Sequence, residues 1–456
     1  MKPDRQSRLD DFLAHPRRAV WTVSLPMMAG MIFHTLYSVV DTAFVGQIGP
    51  EALAAITFVG PLFFVAVALT NGLATGVTAV IAQAVGRRDA AAADRTASNS
   101  MALGIVLGVL LSVGWHLTGP GMLRAMGAEG ATVGEAWAYF QLITLGLPLF
   151  FISSVLRAVL NGEGDSRSPM VVMAIATVVN LVLDPIFIFV LDQGIRGAAI
   201  ATILSQVIAT AIFAWWVLVR RRTFTHLSLR GMLPSGAVLW RVMGIGVPTT
   251  FAQLVMSAGM VLGNWLLATF GQLTVAGYGA GTRVDMIVSM PILGLASGAV
   301  AVIGMFAGAG RADLVRSTAL YTYRWALFLG VGVGLLAFAS SPWVLRLFTQ
   351  DPVAIGVGQT YLGYMIFSYP LMAVGMTSGR ILQGLGYGLP SLVITAIRVL
   401  LVGVPVAYFA VLVLHTPLDG VWIGFIIGGA CSVALGLTWV YRLVWQRDPT
   451  LRAAAA

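Results

Sequence analysis

The chain has 456 residues, is 58% hydrophobic and only 10% charged, and its mean hydropathy is +0.89. A soluble domain is about a quarter charged, and the fraction of surface a chain buries grows only slowly with length. No globular core hides this much apolar surface, so lipid must take the remainder. The formal net charge of +9 is almost all arginine, Lys2 being the only lysine. Basicity can signal nucleic-acid binding. Here the arginines stand between apolar stretches, the pattern of cytoplasmic loops, and no nucleic-acid partner is expected. The single cysteine, Cys431, lies in an apolar stretch, which leaves no disulfide framework and no thiolate metal site.

In lipid the backbone must satisfy its polar groups within helices or a closed barrel. A barrel needs segments of about ten alternating residues. The stretches centred on Ala102–Leu111 and Val399–Leu414 run to about twenty residues without alternation. The polar N-terminus ends near Arg18, and the apolar stretch after it holds Pro26, His34 and Asp41 with no clear cleavage site. It reads as a first span, not a signal peptide. Twelve spans are predicted, at 20–46, 52–82, 98–117, 136–160, 169–191, 198–219, 240–269, 274–306, 318–339, 358–381, 391–414 and 420–443. Arginines mark every even-numbered gap: Arg87 and Arg88, Arg157 and Arg167, Arg220–Arg222, Arg311 and Arg316, Arg380, then Arg442 and Arg447. The odd gaps hold only Arg124, Arg196 and Arg346. This alternation predicts both termini in the cytoplasm.

The halves repeat at an offset of 222 residues. Pro26 pairs with Pro248, Gly72 and Gly76 with Gly294 and Gly298, Tyr139 with Tyr361, and Pro148 with Pro370. Asn161-Gly162-Glu163-Gly164 pairs with Gln383-Gly384-Leu385-Gly386. Six spans per repeat give both halves the same orientation, related by an axis along the membrane normal. The expectation is an all-α integral membrane protein, with two pseudo-symmetric six-helix lobes around a central cleft. The lobes are placed at 1–219 and 240–456, with a cytoplasmic linker at 220–239.

Within the bilayer an ionisable group costs about 2.5–3.5 kcal/mol on insertion scales, so such groups are functional candidates. Asp41, Asp184 and Asp285 fall well inside spans. Tyr37 and Asn180 each precede an aspartate by four residues and share its helix face. Asp41 and Asp184 are predicted at similar depth in the outer half. Two close buried carboxylates cannot both ionise cheaply, so the pair can carry a proton. With Asn180 and a hydroxyl it can instead hold Na+ through oxygen ligands. Pro185 removes a backbone donor beside Asp184. Met27, Met31, His34, Tyr139, Arg283 and Asp285 are candidates for lining a substrate cavity, set against packing for the methionines, His34 and Tyr139 and structural pairing for Arg283 with Asp285. Arg398, deep in the eleventh span, reads first as structural.

The run Tyr37-Ser38-Val39-Val40-Asp41-Thr42-Ala43-Phe44-Val45-Gly46 resembles the opening of multidrug and toxic compound extrusion (MATE) transporters. So do Gly72-Leu73-Ala74-Thr75-Gly76, Asn180…Asp184-Pro185 and Gly197-Ala198-Ala199. The resemblance covers essentially the whole chain. It is nearer to the DinF-like than the NorM-like branch, because the seventh and tenth spans lack acids. It implies a secondary multidrug antiporter, which is not an enzyme and has no cofactor beyond a coupling ion, H+ or Na+. It implies amphipathic cationic substrates and a monomer in the inner membrane. It also implies that Thr202 joins Asp41, Asn180 and Asp184 at the coupling site. A lipid-linked precursor flippase of the same superfamily is the alternative. An intramembrane aspartyl protease is weaker: Gly162-Glu163-Gly164-Asp165 fits its Gly-x-Gly-Asp string but falls in a short connection and reads as a turn.

Overall fold

The computed structural model describes residues 7–219, 224–228 and 230–446; the side chains of residues 7, 34, 37–39, 42, 50, 131 and 230 are outside the described set. A short helix, α1 (Ser7–Ala14), precedes α2 (Pro16–Ile48), α3 (Pro50–Gly86), α4 (Ala90–Ala125) and α5 (Ala131–Gly162). α6 (Arg167–Pro185) and α7 (Gly194–Ala214) each run on into a π-helical turn, Ile186–Val190 and Trp215–Val219. The second half holds α8 (Gly236–Ala268), α9 (Gln272–Gly308), α10 (Ala312–Val344) and α11 (Pro352–Gly384). It closes with α12 (Leu389–Ala396), α13 (Gly403–Leu412) and α14 (Asp419–Tyr441). Ten of these helical segments are long and apolar enough to cross a membrane, counted among the described residues.

The helices outrun the predicted spans because hydropathy marks only the lipid-crossing part. α4 starts at Ala90, where the Asp89 side chain accepts the Ala92 N–H at 2.9 Å, not near residue 98. At 36 residues it is about 54 Å long, against a hydrocarbon core of about 30 Å. Leu110, Leu117, Phe328 and Leu336 stand exposed, as a lipid-facing surface requires. The eleventh span, expected as one helix, is broken. α12 passes into a π turn at Ile397–Leu401, where the Val402 N–H reaches back to the Ile397 carbonyl at 3.1 Å. Pro405 has no N–H to offer the carbonyl four residues earlier, which is a physical reason for the break.

Two compact units result. The first takes residues 29–246 together with the start of the chain through Arg8; the second takes 9–28 and everything from Val247. The lead-ins of α2 and α8 are therefore exchanged between the halves. The switch falls just after Pro26 in α2 and just before Pro248 in α8.

Each unit packs in the same way. α5 lies against α3, α4 and α7, and α11 lies against α9, α10 and α14. The 222-residue repeat extends to single contacts. A Cβ at Gly108 would sit 2.7 Å from Pro148 Cα, and one at Gly330 would sit 2.9 Å from Pro370 Cα. Gly162 abuts Ile81 and the Thr78 carbonyl, as Gly384 abuts Ile303 and the Val300 carbonyl. Gly76 meets the exchanged α8 lead-in at Val242, and Gly298 meets the exchanged α2 lead-in at Ser24. Around these contacts lie two cores, one with Val59, Phe140, Leu147 and Ile188, the other with Leu266, Tyr278, Tyr361 and Trp422.

The connection between the halves is strapped to the first unit. Glu163 accepts the Phe224 and Thr225 N–H groups, each at 2.8 Å. Asp94 accepts the His226 N–H, and Ser98 accepts that of Ser228 at 3.1 Å. Asn99 donates to the Gly231 carbonyl at 2.7 Å and accepts from Ser235 N–H at 2.6 Å. Gly164, at φ 76, makes the turn that follows Glu163. Asp165 then caps Ser168 and lies 3.8 Å from Arg8.

Two measurements test this packing. Gly330→Ala is expected to cost about 1–3 kcal/mol through overpacking, while Gly114→Ala, with nothing within 4 Å, costs little; thermal unfolding in detergent compares them. Burial pushes the Glu163 carboxyl up to about 7, although its two backbone donors and Arg8 pull the other way. The folded protein thus holds this proton more tightly than the unfolded chain. Stability from this group should fall as pH rises from about 4.5 to about 7 and stay flat above, a change of about 3 kcal/mol. Glu163→Gln should remove that slope in thermal midpoints measured from pH 4 to pH 8.

Candidate functional site

In the first unit, α6 carries Asn180 and Asp184 on one face, four residues apart. Both are essentially buried, and Asn180 Nδ2 donates to Asp184 Oδ1 at 3.0 Å. Just beyond them Pro185 ends the regular helix and the π turn begins. Gly197 on α7 fits against that turn at the Phe187 carbonyl, so α7 starts hard against it. Thr177 Oγ1 donates to the Phe33 carbonyl at 3.3 Å and ties α6 to α2, the helix of Asp41.

Asp41 lies close enough to Asp184 to act on it electrostatically. Asp41 Oδ1 and Asp184 Oδ2 are both buried without a hydrogen-bond donor among the described residues. The structure therefore brings together three of the expected coupling residues: Asp41, Asn180 and Asp184. Thr202 is buried on α7, which packs against α6. The side chains of Tyr37 and His34 are outside the described set. Among the described residues no three His, Cys, Asp or Glu side chains cluster as a metal site. Two carboxylates and an amide suit a proton or a hard monovalent cation.

The second unit holds Asp285 differently from the expected pairing. Arg283 does not pair with it; the Arg283 guanidinium sits 5.1 Å from the centroid of the Phe348 ring. Asp285 instead accepts hydrogen bonds from the hydroxyls of Tyr361 and Tyr369, one to each carboxylate oxygen. Two residues apart on a helix, Arg283 and Asp285 point to different faces, which is why they separate. Around Asp285 the rings of Tyr278, Tyr361 and Trp422 pack at 4.9–5.8 Å between centroids. Tyr361 and Tyr369 were recognisable as tyrosines in the tenth span, but nothing in sequence spacing linked them to an acid on another helix. The remaining candidate cavity residues are divided: Met31 and Tyr139 belong to the first unit, Met27, Arg283 and Asp285 to the second. Tyr139 packs on the core of its unit.

The chain matches the MatE family over residues 26–186 and 248–409, once in each half. It is 28% identical over 440 residues to the probable multidrug resistance protein NorM of Thermotoga maritima, covering 95% of this chain and 94% of that protein. It is 26% identical to the multidrug export protein MepA of Staphylococcus saprophyticus, over 80% of this chain and 81% of the relative. A solved outward-facing multidrug resistance MATE family transporter of the MOP superfamily superposes with a TM-score of 0.91 at 33% identity, covering 95% of this chain and 97% of that one. A duplicated bundle of long apolar helices with acids set inside it, and these likenesses, define a multi-pass membrane transporter and not an enzyme. The chain belongs to the MatE family.

The tyrosine clamp on Asp285 yields a direct test. Tyr369→Phe removes the donor to one buried carboxylate oxygen and should cost about 1–3 kcal/mol. Tyr364→Phe, on the same helix but outside the clamp, should cost much less in the same thermal-unfolding assay.

Proposed function

We propose that the protein is a secondary multidrug efflux transporter that exchanges amphipathic organic cations for H+ or Na+ at Asp41 and Asp184. The observation that carries this reading is the pair of buried carboxylate oxygens, Asp41 Oδ1 and Asp184 Oδ2, that have no donor among the described residues. A proton or a monovalent cation supplies what they lack, and Asn180 offers its carbonyl oxygen while its amide holds Asp184. The names of the Thermotoga and Staphylococcus relatives support drugs as cargo.

α2 gives the coupling a mechanical route. It is one continuous helix from Pro16 to Ile48, yet its lead-in packs with the second unit and its Asp41 end with the first. Binding a cation between Asp41 and Asp184 changes what the outer part of α2 packs against. Pro26, beside the switch between units, lacks the N–H that would resist bending there. The ion drives the cycle only through its different affinity for the two access states, and a rearrangement of α2 supplies that difference. The arginine-rich even-numbered gaps support cytoplasmic termini, in a protein of the cell's inner membrane.

Ethidium efflux into or from vesicles, with proton and sodium gradients imposed separately, tests the reading. Asp41→Asn and Asp184→Asn should each lower gradient-driven efflux about tenfold or more while leaving folded protein in the membrane. Efflux at the wild-type rate in both variants would remove the coupling role from this pair.

A further inference from the structure

Within the second unit, the lead-in of α2 and the first half of α10 meet along an aromatic seam. Trp21 Nε1 donates to the Tyr321 hydroxyl at 2.9 Å, and the Trp21 and Trp325 rings meet edge to face with centroids 4.9 Å apart. Trp325 touches Phe328 in turn, at 5.4 Å. The Tyr321 oxygen accepts from Trp21, which leaves its own O–H proton for another acceptor.

Two arginines converge on this seam. The Arg17 guanidinium stands over the Tyr321 ring, 5.8 Å from its centroid, a cation–π distance. Arg324 follows Tyr321 by three residues on α10 and shares its face. Arg17 precedes Trp21 by four residues on α2 and shares that face. Both arginine side chains are exposed, and neither belongs to an ion pair among the described residues.

The depth of the seam decides what meets it. The helical segment Ala312–Leu347 has 36 residues and is about 54 Å long. Centred on a hydrocarbon core of about 30 Å, it overhangs by roughly 12 Å at each end. Arg324 stands about 18 Å from the start, roughly one turn inside the hydrocarbon boundary. Leu320, Leu327 and Phe328 around it are exposed apolar side chains, as a lipid-facing side requires. Tryptophan and tyrosine are the residues that collect at headgroup level. A long arginine at this depth extends its charge toward the phosphates.

We propose that the α2–α10 seam is a binding site for an anionic phospholipid of the cytoplasmic leaflet. The two guanidiniums take the headgroup phosphate, whose oxygens a planar fork matches, and the Tyr321 hydroxyl adds a donor. Trp325 and Phe328 lie along the first carbons of the acyl chains. The choice of leaflet rests on the topology proposed above; binding in detergent does not depend on it. A lipid seated here holds the α2 lead-in to the second unit, on the N-terminal side of Pro26.

The test is lipid retention by the full chain, purified in a non-ionic detergent, supplied with dioleoyl phosphatidylglycerol or dioleoyl phosphatidylcholine and read by native mass spectrometry. Wild type is expected to retain phosphatidylglycerol in preference. Arg17→Gln and Arg324→Gln should each weaken that retention about fivefold, the effect of one arginine at a charged membrane surface. Arg324 is exposed, so its replacement leaves folding intact and decides the matter if Arg17→Gln misfolds. Arg167→Gln, which removes an exposed arginine of another cytoplasmic gap, should change nothing. Asp41→Asn should leave the retention of both lipids unchanged, which separates this site from the coupling pair. Equal retention of the two lipids by wild type, or an equal loss in Arg167→Gln, overturns the proposal. So does undiminished phosphatidylglycerol retention in Arg324→Gln.

Discussion

Lipid tails are as apolar as leucine, so burial of hydrocarbon does little to bring membrane helices together. What remains is close contact between helix surfaces, and that needs small residues where backbones meet. The central helices α5 and α11 depend on it. Pro148 is received by Gly108 and Pro370 by Gly330, while Gly162 and Gly384 end their helices against the α3 and α9 backbones. Everything functional hangs from these two helices and their partners. Asp184 on α6 is positioned through α7, which packs on α5; a cavity between α8, α11 and α12 is partly walled by α11 itself.

The duplicated scaffold carries opposite charges. In the first half the fifth span presents Asp184 beside a π turn; in the second half the fifth span presents Arg398 inside one. The two turns lie at different depths in the repeat, so the halves have diverged in backbone as well as in charge. Asp285 adds a carboxylate to the second half, but there two tyrosine hydroxyls already satisfy it. A carboxylate with both oxygens engaged differs in kind from the pair in the first half, where one oxygen on each acid has no donor among the described residues.

The class of fold was legible because lipid imposes a single rule, a long apolar helix, and because the repeat is written in glycines and prolines whose spacing survives divergence. Asn180 and Asp184 were legible as a pair because four residues on a helix fix their contact. Contacts between helices were not. The Asp285 clamp joins residues 76 and 84 positions apart, and no local pattern encodes it. Glu163 was read as part of a turn, which it is, but its two bonds to the connection near residue 224 depend on a loop folding back. The break in the eleventh span was foreshadowed by Gly403 and Pro405, yet hydropathy averages over both.

The exchange of the α2 and α8 lead-ins bears on how such a chain is made. Residues 9–28 are made long before the surface they pack against, around Gly294 and Gly298 of α9. The first unit in turn waits for Val242 before Gly76 is covered. Insertion into the bilayer can proceed helix by helix, but the first unit is complete only after Gly246 is made, and the second only with the helices that follow α8. A chain interrupted in the connection near residue 230 would leave a nascent bundle with exposed glycine faces. Assembly is for that reason staggered: each unit takes a segment from the other half of the sequence, and the earliest-made span of α2 waits longest for its partner.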